Sequence, residues 1–144
     1  MMRLGRTSIY GLSAVMYLAS VDSSRPSTVQ EIADATGMPI EYLRKLLGRL
    51  LRGRIIRSVR GRKGGFRLGK STDRITLLAI VEAIEGPVDD AAVFEEGLLL
   101  FHNRSVAKAI RHWRHQAAHV IRQMLAQTSV ADLLAAETES VGKN

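Results

Sequence analysis

Apolar residues recur along this chain with two different periods. Ile9, Leu12, Val15, Met16 and Ala19 fall on one side of a helix that Thr7 or Ser8 can cap. The polar connection Asp22-Ser23-Ser24-Arg25-Pro26 follows. Val29, Ile32 and Ala33 then mark a short second helix over about residues 28–35, where both Ser27-x-x-Gln30 and Thr28-x-x-Glu31 fit a capping box. Gly37 permits a left-handed exit, and Pro39 opens a third helix that reaches about Arg52. Leu43, Leu46, Leu47 and Leu50 point inward from it, and Gly53 is read as its end.

From here the period drops to two. Residues 55–60 and 66–68 alternate as strands do, and Gly61-Arg62-Lys63-Gly64-Gly65 joins them with glycines suited to a tight hairpin. Helical spacing returns over residues 75–85 and stops at Gly86-Pro87. Residues 87–103 read as a linker or effector loop, with 96–101 ambiguous between helix and loop. A long helix over 104–127 carries Val106, Ile110, Trp113, Ala117, Val120 and Met124 at alternating steps of four and three, with Ile121 alongside. That spacing is the seam of helices that pack lengthwise. Ser129 caps a last short helix, and the tail 137–144 is expected to be disordered.

The pattern predicts a mainly α protein with a small two-stranded β-wing. Residues 1–86 form a winged helix-turn-helix for DNA binding, 87–103 a linker, and 104–136 a dimerisation helix with a short helix after it. Composition agrees, since 144 residues with 46% hydrophobic and 24% charged side chains suit a globular protein. Cysteine is absent, which excludes disulfides, thiolate-held zinc or iron–sulfur centres and cysteine nucleophiles. No apolar run approaches the roughly 18 residues that span a bilayer, and a cytoplasmic location without membrane partners is expected.

Charge sharpens the functional reading. Residues 1–75 hold 15 Lys/Arg against 5 Asp/Glu, whereas residues 76–144 hold 6 against 9. Between Glu41 and Asp73 there is no acid, while eleven cations accumulate from Arg44 to Lys70. Such a run repels itself unless an anion visits, so double-stranded DNA is the expected partner, ahead of a solvated face or a membrane surface. The third helix suits a major groove, where Pro39, Glu41, Tyr42, Arg44, Lys45 and Arg49 are the candidate contacts. Arg44 can grip guanine and Glu41 can accept from a cytosine amine; Tyr42 either touches DNA or packs on the second helix. In the wing, Ser58, Arg60, Gly61, Arg62, Lys63, Gly64 and Gly65 form a cationic tip suited to a narrow minor groove. Arg49, Arg52 and Arg57 are expected to serve phosphates.

One unit reads one half-site, so the seam Val106/Ile110/Trp113/Ala117/Val120/Ile121/Met124 is expected to join two copies over a palindromic site. His112, His115 and His119 share one side of the long helix. His115 and His119 have the spacing of a helical metal pair, but no carboxylate accompanies them; a solvated stripe, a metal site and an anion- or pH-responsive role stay open. His102 stands apart. No nucleophile–base arrangement is present, so no enzyme activity and no cofactor are expected. An RNA-binding or protein-docking winged helix is the alternative, although few aromatic residues are available for base stacking.

These residues resemble the Rrf2 family of bacterial winged-helix transcription regulators over about residues 2–134. The most specific stretch is Ser58-Val59-Arg60-Gly61-Arg62-Lys63-Gly64-Gly65-Phe66-Arg67-Leu68, similar to the family's S-V-R-G-x-x-G-G-Y-x-L wing. Ile75-Thr76-Leu77-Leu78-Ala79-Ile80-Val81-Glu82-Ala83-Ile84-Glu85-Gly86 is close to its I-T-L-x-D-I-x-x-A-x-E-G. Glu31-Ile32-Ala33, Tyr42-Leu43-x-x-Leu46-Leu47 and Ser129-Val130-Ala131-Asp132-Leu133-Leu134 support it. The resemblance implies a homodimer that binds promoter DNA, usually as a repressor. Members that sense iron–sulfur status or nitric oxide carry three cysteines before the long helix, where this chain has none. The sequence departs again at Pro39, where a capping Ser is common, and at Ala79, where Asp is usual. The effector, whether small molecule, metal or protein, is left open.

Overall fold

A computed structural model describes residues 5–89 and 102–142. The expected linker over 87–103 therefore lies mostly outside the described residues. The elements are α1 (Arg6–Ser20), α2 (Val29–Thr36), α3 (Ile40–Arg52), β1 (Ile56–Val59), β2 (Gly65–Leu68), α4 (Leu77–Glu85), α5 (Arg104–Gln127) and α6 (Val130–Val141). A 3₁₀ turn, Thr72–Arg74, precedes α4.

α1, α2 and α3 close around Val15, Ile32, Leu43, Leu46, Leu47 and Leu50, all at most 1% exposed, and α4 completes this core with Ile80 and Ile84. Burying one such side chain stabilises by about 1.5–3 kcal/mol, so this apolar contact sets the arrangement. The start of α1 differs from expectation. Gly5 is its N-cap, without a side-chain bond, while Ser8 is buried and donates its hydroxyl to Glu85 Oε1 at 3.0 Å. The capping-box ambiguity before α2 resolves in favour of Thr28. Its hydroxyl accepts from Glu31 N–H, and the Glu31 carboxylate accepts from Thr28 N–H at 2.8 Å.

α3 ends by a route the sequence did not suggest. Gly53 keeps a right-handed conformation, and Arg54 takes the left-handed one at φ 57°. Ile55 N–H donates to Leu50 O and Arg54 N–H to Leu51 O, both at 3.0 Å, which is a Schellman closure with arginine where glycine usually stands. Glycine at 53 answers a different need, because a Cβ there would lie 2.7 Å from the Ala83 Cβ of α4.

The C-terminal helices are not a separate body. Leu77 N–H donates to Thr128 O and Val130 N–H to Ile75 O, each at 2.9 Å, and Val130 is fully buried in the same core as α1–α4. Ser129 and Asp132 form a capping box for α6. α6 continues to Val141, past residue 137 where the disordered tail is expected to begin, and Thr138 and Ser140 hydroxyls donate to carbonyls of the preceding turn; residues 143–144 lie outside the described residues. On α5, Ile121 and Leu125 pack with Leu78, Val81 and Val88. Arg122 pairs with Glu82, which also accepts from Val88 N–H at 3.2 Å. Ile121, expected between two copies, is thus half-buried within its own chain.

The box at α2 generates two expectations. Thr28→Ala should cost about 1 kcal/mol in denaturant unfolding. The Glu31 carboxyl is lowered from 4.5 to about 2, first by the hydrogen bond from Arg25 and then by Thr28 N–H. A depressed folded-state value means that unfolding takes up a proton. Stability should therefore be complete above about pH 4.5 and fall as pH drops toward 2, and Glu31→Gln should flatten that limb.

Candidate nucleic-acid interface

The four buried leucines of α3 turn the opposite side of the helix outward, where Glu41, Arg44, Lys45, Arg49 and Arg52 are exposed. Pro39 is the N-cap residue and is itself exposed. Glu41 and Arg44 pair across 3.5 Å in an open setting. Exposed pairs of this kind are worth at most about 1 kcal/mol, so both side chains can be redirected to another partner. Gly48 lies half-exposed among these charges. A Cβ there would meet only Arg52 Nη1, at 3.8 Å. Mid-helix glycine costs about 1 kcal/mol relative to alanine, and nothing inside the fold requires it here.

Two of the expected contacts also have partners within the chain. The Tyr42 ring is half-buried and edge-on to Tyr10 of α1, with centroids 5.6 Å apart. Arg49 is exposed and donates from Nη1 to Ile84 O at 2.8 Å, which ties one arm of its guanidinium to the end of α4.

In the wing, β1 and β2 pair antiparallel with Ile56 opposite Leu68, Arg57 opposite Arg67, Ser58 opposite Phe66 and Val59 opposite Gly65. The tip closes with Gly64 N–H donating to Gly61 O at 3.0 Å. Arg60, Arg62 and Lys63 are exposed there, and none pairs with a carboxylate among the described residues. Ser58 is exposed beside them. The hairpin is not free to swing. Ser27 N–H donates to Phe66 O at 3.0 Å and Phe66 N–H to Ser27 O at 2.7 Å, so the residue before the α2 cap acts as a third, one-residue strand. This contact was missed in the sequence, because a single bridged residue leaves no alternation to read. Gly65 makes it possible: its φ is 154°, and a Cβ would lie 2.3 Å from Ser27 O.

The expected seam on α5 divides in two. Val106, Trp113, Val120 and Met124 are 42–66% exposed, with Ile110 and Ala117 half-buried beside them. Ala107 and Ala118 are buried, and Ile121 and Leu125 face α4. His112, His115 and His119 are exposed. Among the described residues no group of three or more His, Asp or Glu comes together to hold a metal ion, so the three histidines do not assemble into a site. No described helix is long and apolar enough to cross a membrane.

Residues 4–136 match the model of the Rrf2 family, described as an iron-dependent transcriptional regulator. The HTH-type transcriptional regulator CymR of Bacillus subtilis is 30% identical over 95 residues, covering 66% of this chain and 69% of that protein. The solved structure of B. subtilis CymR, titled as the global cysteine regulator, superposes with a TM-score of 0.72 at 25% identity over 94% of this chain and 98% of that one. The structure of T. potens IscR gives 0.73 at 25% identity over 96% and 90%. The iron in the family description does not fit the residues here. The chain has no thiolate, and its described His, Asp and Glu side chains form no ligand group.

The wing geometry predicts that Gly65→Ala destabilises the fold by about 1–3 kcal/mol, because the Ser27–Phe66 pairing must open to admit the methyl group. Chemical denaturation read against wild type, with amide exchange at Phe66, checks both parts.

Proposed function

The chain belongs to the Rrf2 family of DNA-binding transcriptional regulators, and from that premise we propose that it acts as a homodimeric repressor occupying a palindromic promoter site without an iron–sulfur cluster. The observation that carries this reading is the exposed cationic tip Arg60-Gly61-Arg62-Lys63, without a carboxylate partner among the described residues, on a hairpin that Ser27 clamps at Phe66. α3 is the element of a size and polarity to enter a major groove, with Arg44 and Lys45 reaching base edges and Glu41 released from Arg44 as the duplex arrives. The tip then lies along the adjacent minor groove, where negative potential is greatest when the groove is narrow. Gly48 is where the duplex comes closest to α3.

Two copies joined along Val106, Trp113, Val120 and Met124 supply the second half-site. These side chains recur on one side of α5 and remain substantially exposed in the single chain. Twofold pairing of α5 would bury them and set two α3 helices toward successive turns of the groove, about 34 Å apart. Occupancy of a promoter in this manner blocks transcription without any catalytic step.

Binding measured by fluorescence anisotropy on the DNA upstream of the protein's own gene tests the reading. Affinity should fall on the order of 10³-fold between about 50 and 200 mM salt if about six phosphates are neutralised. Arg60→Ala should cost about 1–3 kcal/mol, with the loss concentrated at A·T-rich flanks. Trp113→Glu should sediment as a monomer and lose cooperative half-site binding. Gly48→Ala should raise folding stability by about 1 kcal/mol while weakening DNA binding, a pairing that a merely neutral glycine would not produce.

A further inference from the structure

A cleft of about 410 Å³ lies between the C-terminal end of α1, the connection 21–27, and β2 with the turn after it. Leu18, Phe66 and Leu68 give it an apolar side, and Arg57, Arg67 and Lys70 give it a cationic one. Arg57 and Arg67 stand directly opposite each other in the antiparallel register. Like charges so placed repel and weaken a sheet. Arg67 donates from Nη2 to Ser24 O at 3.0 Å, yet its Nε is buried without a hydrogen-bond partner. Leaving such a donor unsatisfied is costly unless something supplies an acceptor.

Among the described residues nothing supplies one. Arg57, Arg67 and Lys70 have no carboxylate partner among the described residues. Asp22, on the cleft wall, is taken up by the Ser24 N–H at 2.9 Å and the Ser24 hydroxyl at 2.7 Å. Arg25 also lines the cleft and is held by Glu31 at 2.7 Å.

We propose that this cleft binds a small organic anion, its carboxylate or phosphate group held by Arg57, Arg67 and Lys70 and a short apolar portion lying against Leu18, Phe66 and Leu68. Guanidinium groups present the planar fork that oxyanions accept in bidentate fashion, and the cleft has the size of a small-ligand site. A DNA backbone is the poorer occupant, because a sugar–phosphate chain gains nothing from an apolar wall inside a recess. Arg57 and Arg67 also lie on the paired part of the hairpin, away from the tip that carries Arg60, Arg62 and Lys63. Arg57 thus serves the cleft rather than the duplex. The cleft walls belong both to β2 and to the segment that clamps it, so a bound anion bridges the two.

The binding arm of the test does not depend on the DNA reading. Inorganic phosphate, butyrate and monobutyl phosphate are titrated into the full chain at constant ionic strength while amide chemical shifts are followed. Saturable shifts confined to residue 57 and residues 18–27 and 66–72 are expected, with monobutyl phosphate or butyrate binding about fivefold or more tighter than inorganic phosphate. Arg67→Gln/Lys70→Gln should weaken them about tenfold or more, and the exposed Lys70→Gln alone gives a milder loss should the double variant misfold. Arg60→Ala/Lys63→Ala should leave them unchanged. Absence of saturation by about 50 mM for all three probes, or shifts that follow the tip variant instead, overturns the proposal. So does a loss of operator affinity in Arg67→Gln/Lys70→Gln equal to that of the tip variant without any probe, since the cleft would then be DNA surface.

Discussion

Leu43, Leu46, Leu47 and Leu50 leave α3 one orientation. Each is at most 1% exposed, and they occupy a single side of the helix. Rotating the helix about its axis would withdraw that apolar surface from the core, at about 1.5–3 kcal/mol for each side chain, and push Arg44 and Lys45 into it. The charged face is therefore outward as a consequence of the apolar one. The sharp closure at Gly53 and Arg54, with Gly53 against Ala83, then brings β1 out of the helix at a fixed angle. Ser27 completes the arrangement by clamping Phe66.

The end of α4 collects polar contacts from every direction. Glu85 accepts from Ser8 of α1, Ile84 O from Arg49 of α3, and Glu82 from Arg122 of α5 and from Val88 N–H. One short helix thus ties α1 and α3 to the long helix α5.

Most of the fold was legible because the two periods of hydrophobicity are clean. α5 was read at Arg104–Gln127 and α3 to Arg52, and the wing strands matched to within a residue or two. The failures have particular causes. α6 was cut short because residues 137–140 carry no apolar stripe; their helix is sustained by propagation from the Ser129 box and by hydroxyls bonding back to carbonyls. Ser8 looked like a cap because its type suits one, whereas burial gave it Glu85 as a partner. On α5 one periodicity hid two neighbouring faces, since residues at 107, 118, 121 and 125 lie about 100° from the exposed set. Tyr42 and Arg49 were placed on the correct helix, but partners 32 or more positions away in the chain, Tyr10 and Ile84, decide where they point.

A clamped cationic hairpin and a charged helix that grip neighbouring grooves, in duplicate, would leave a footprint of their own on the duplex. Hydroxyl-radical footprinting of the bound duplex tests it most directly, because cleavage reports minor-groove access at single-nucleotide resolution. The account predicts two protected minor-groove tracts, related by twofold symmetry and flanking two major-groove segments about one helical turn apart. A single asymmetric tract, or protection confined to the major-groove segments with open minor grooves on both flanks, would contradict it.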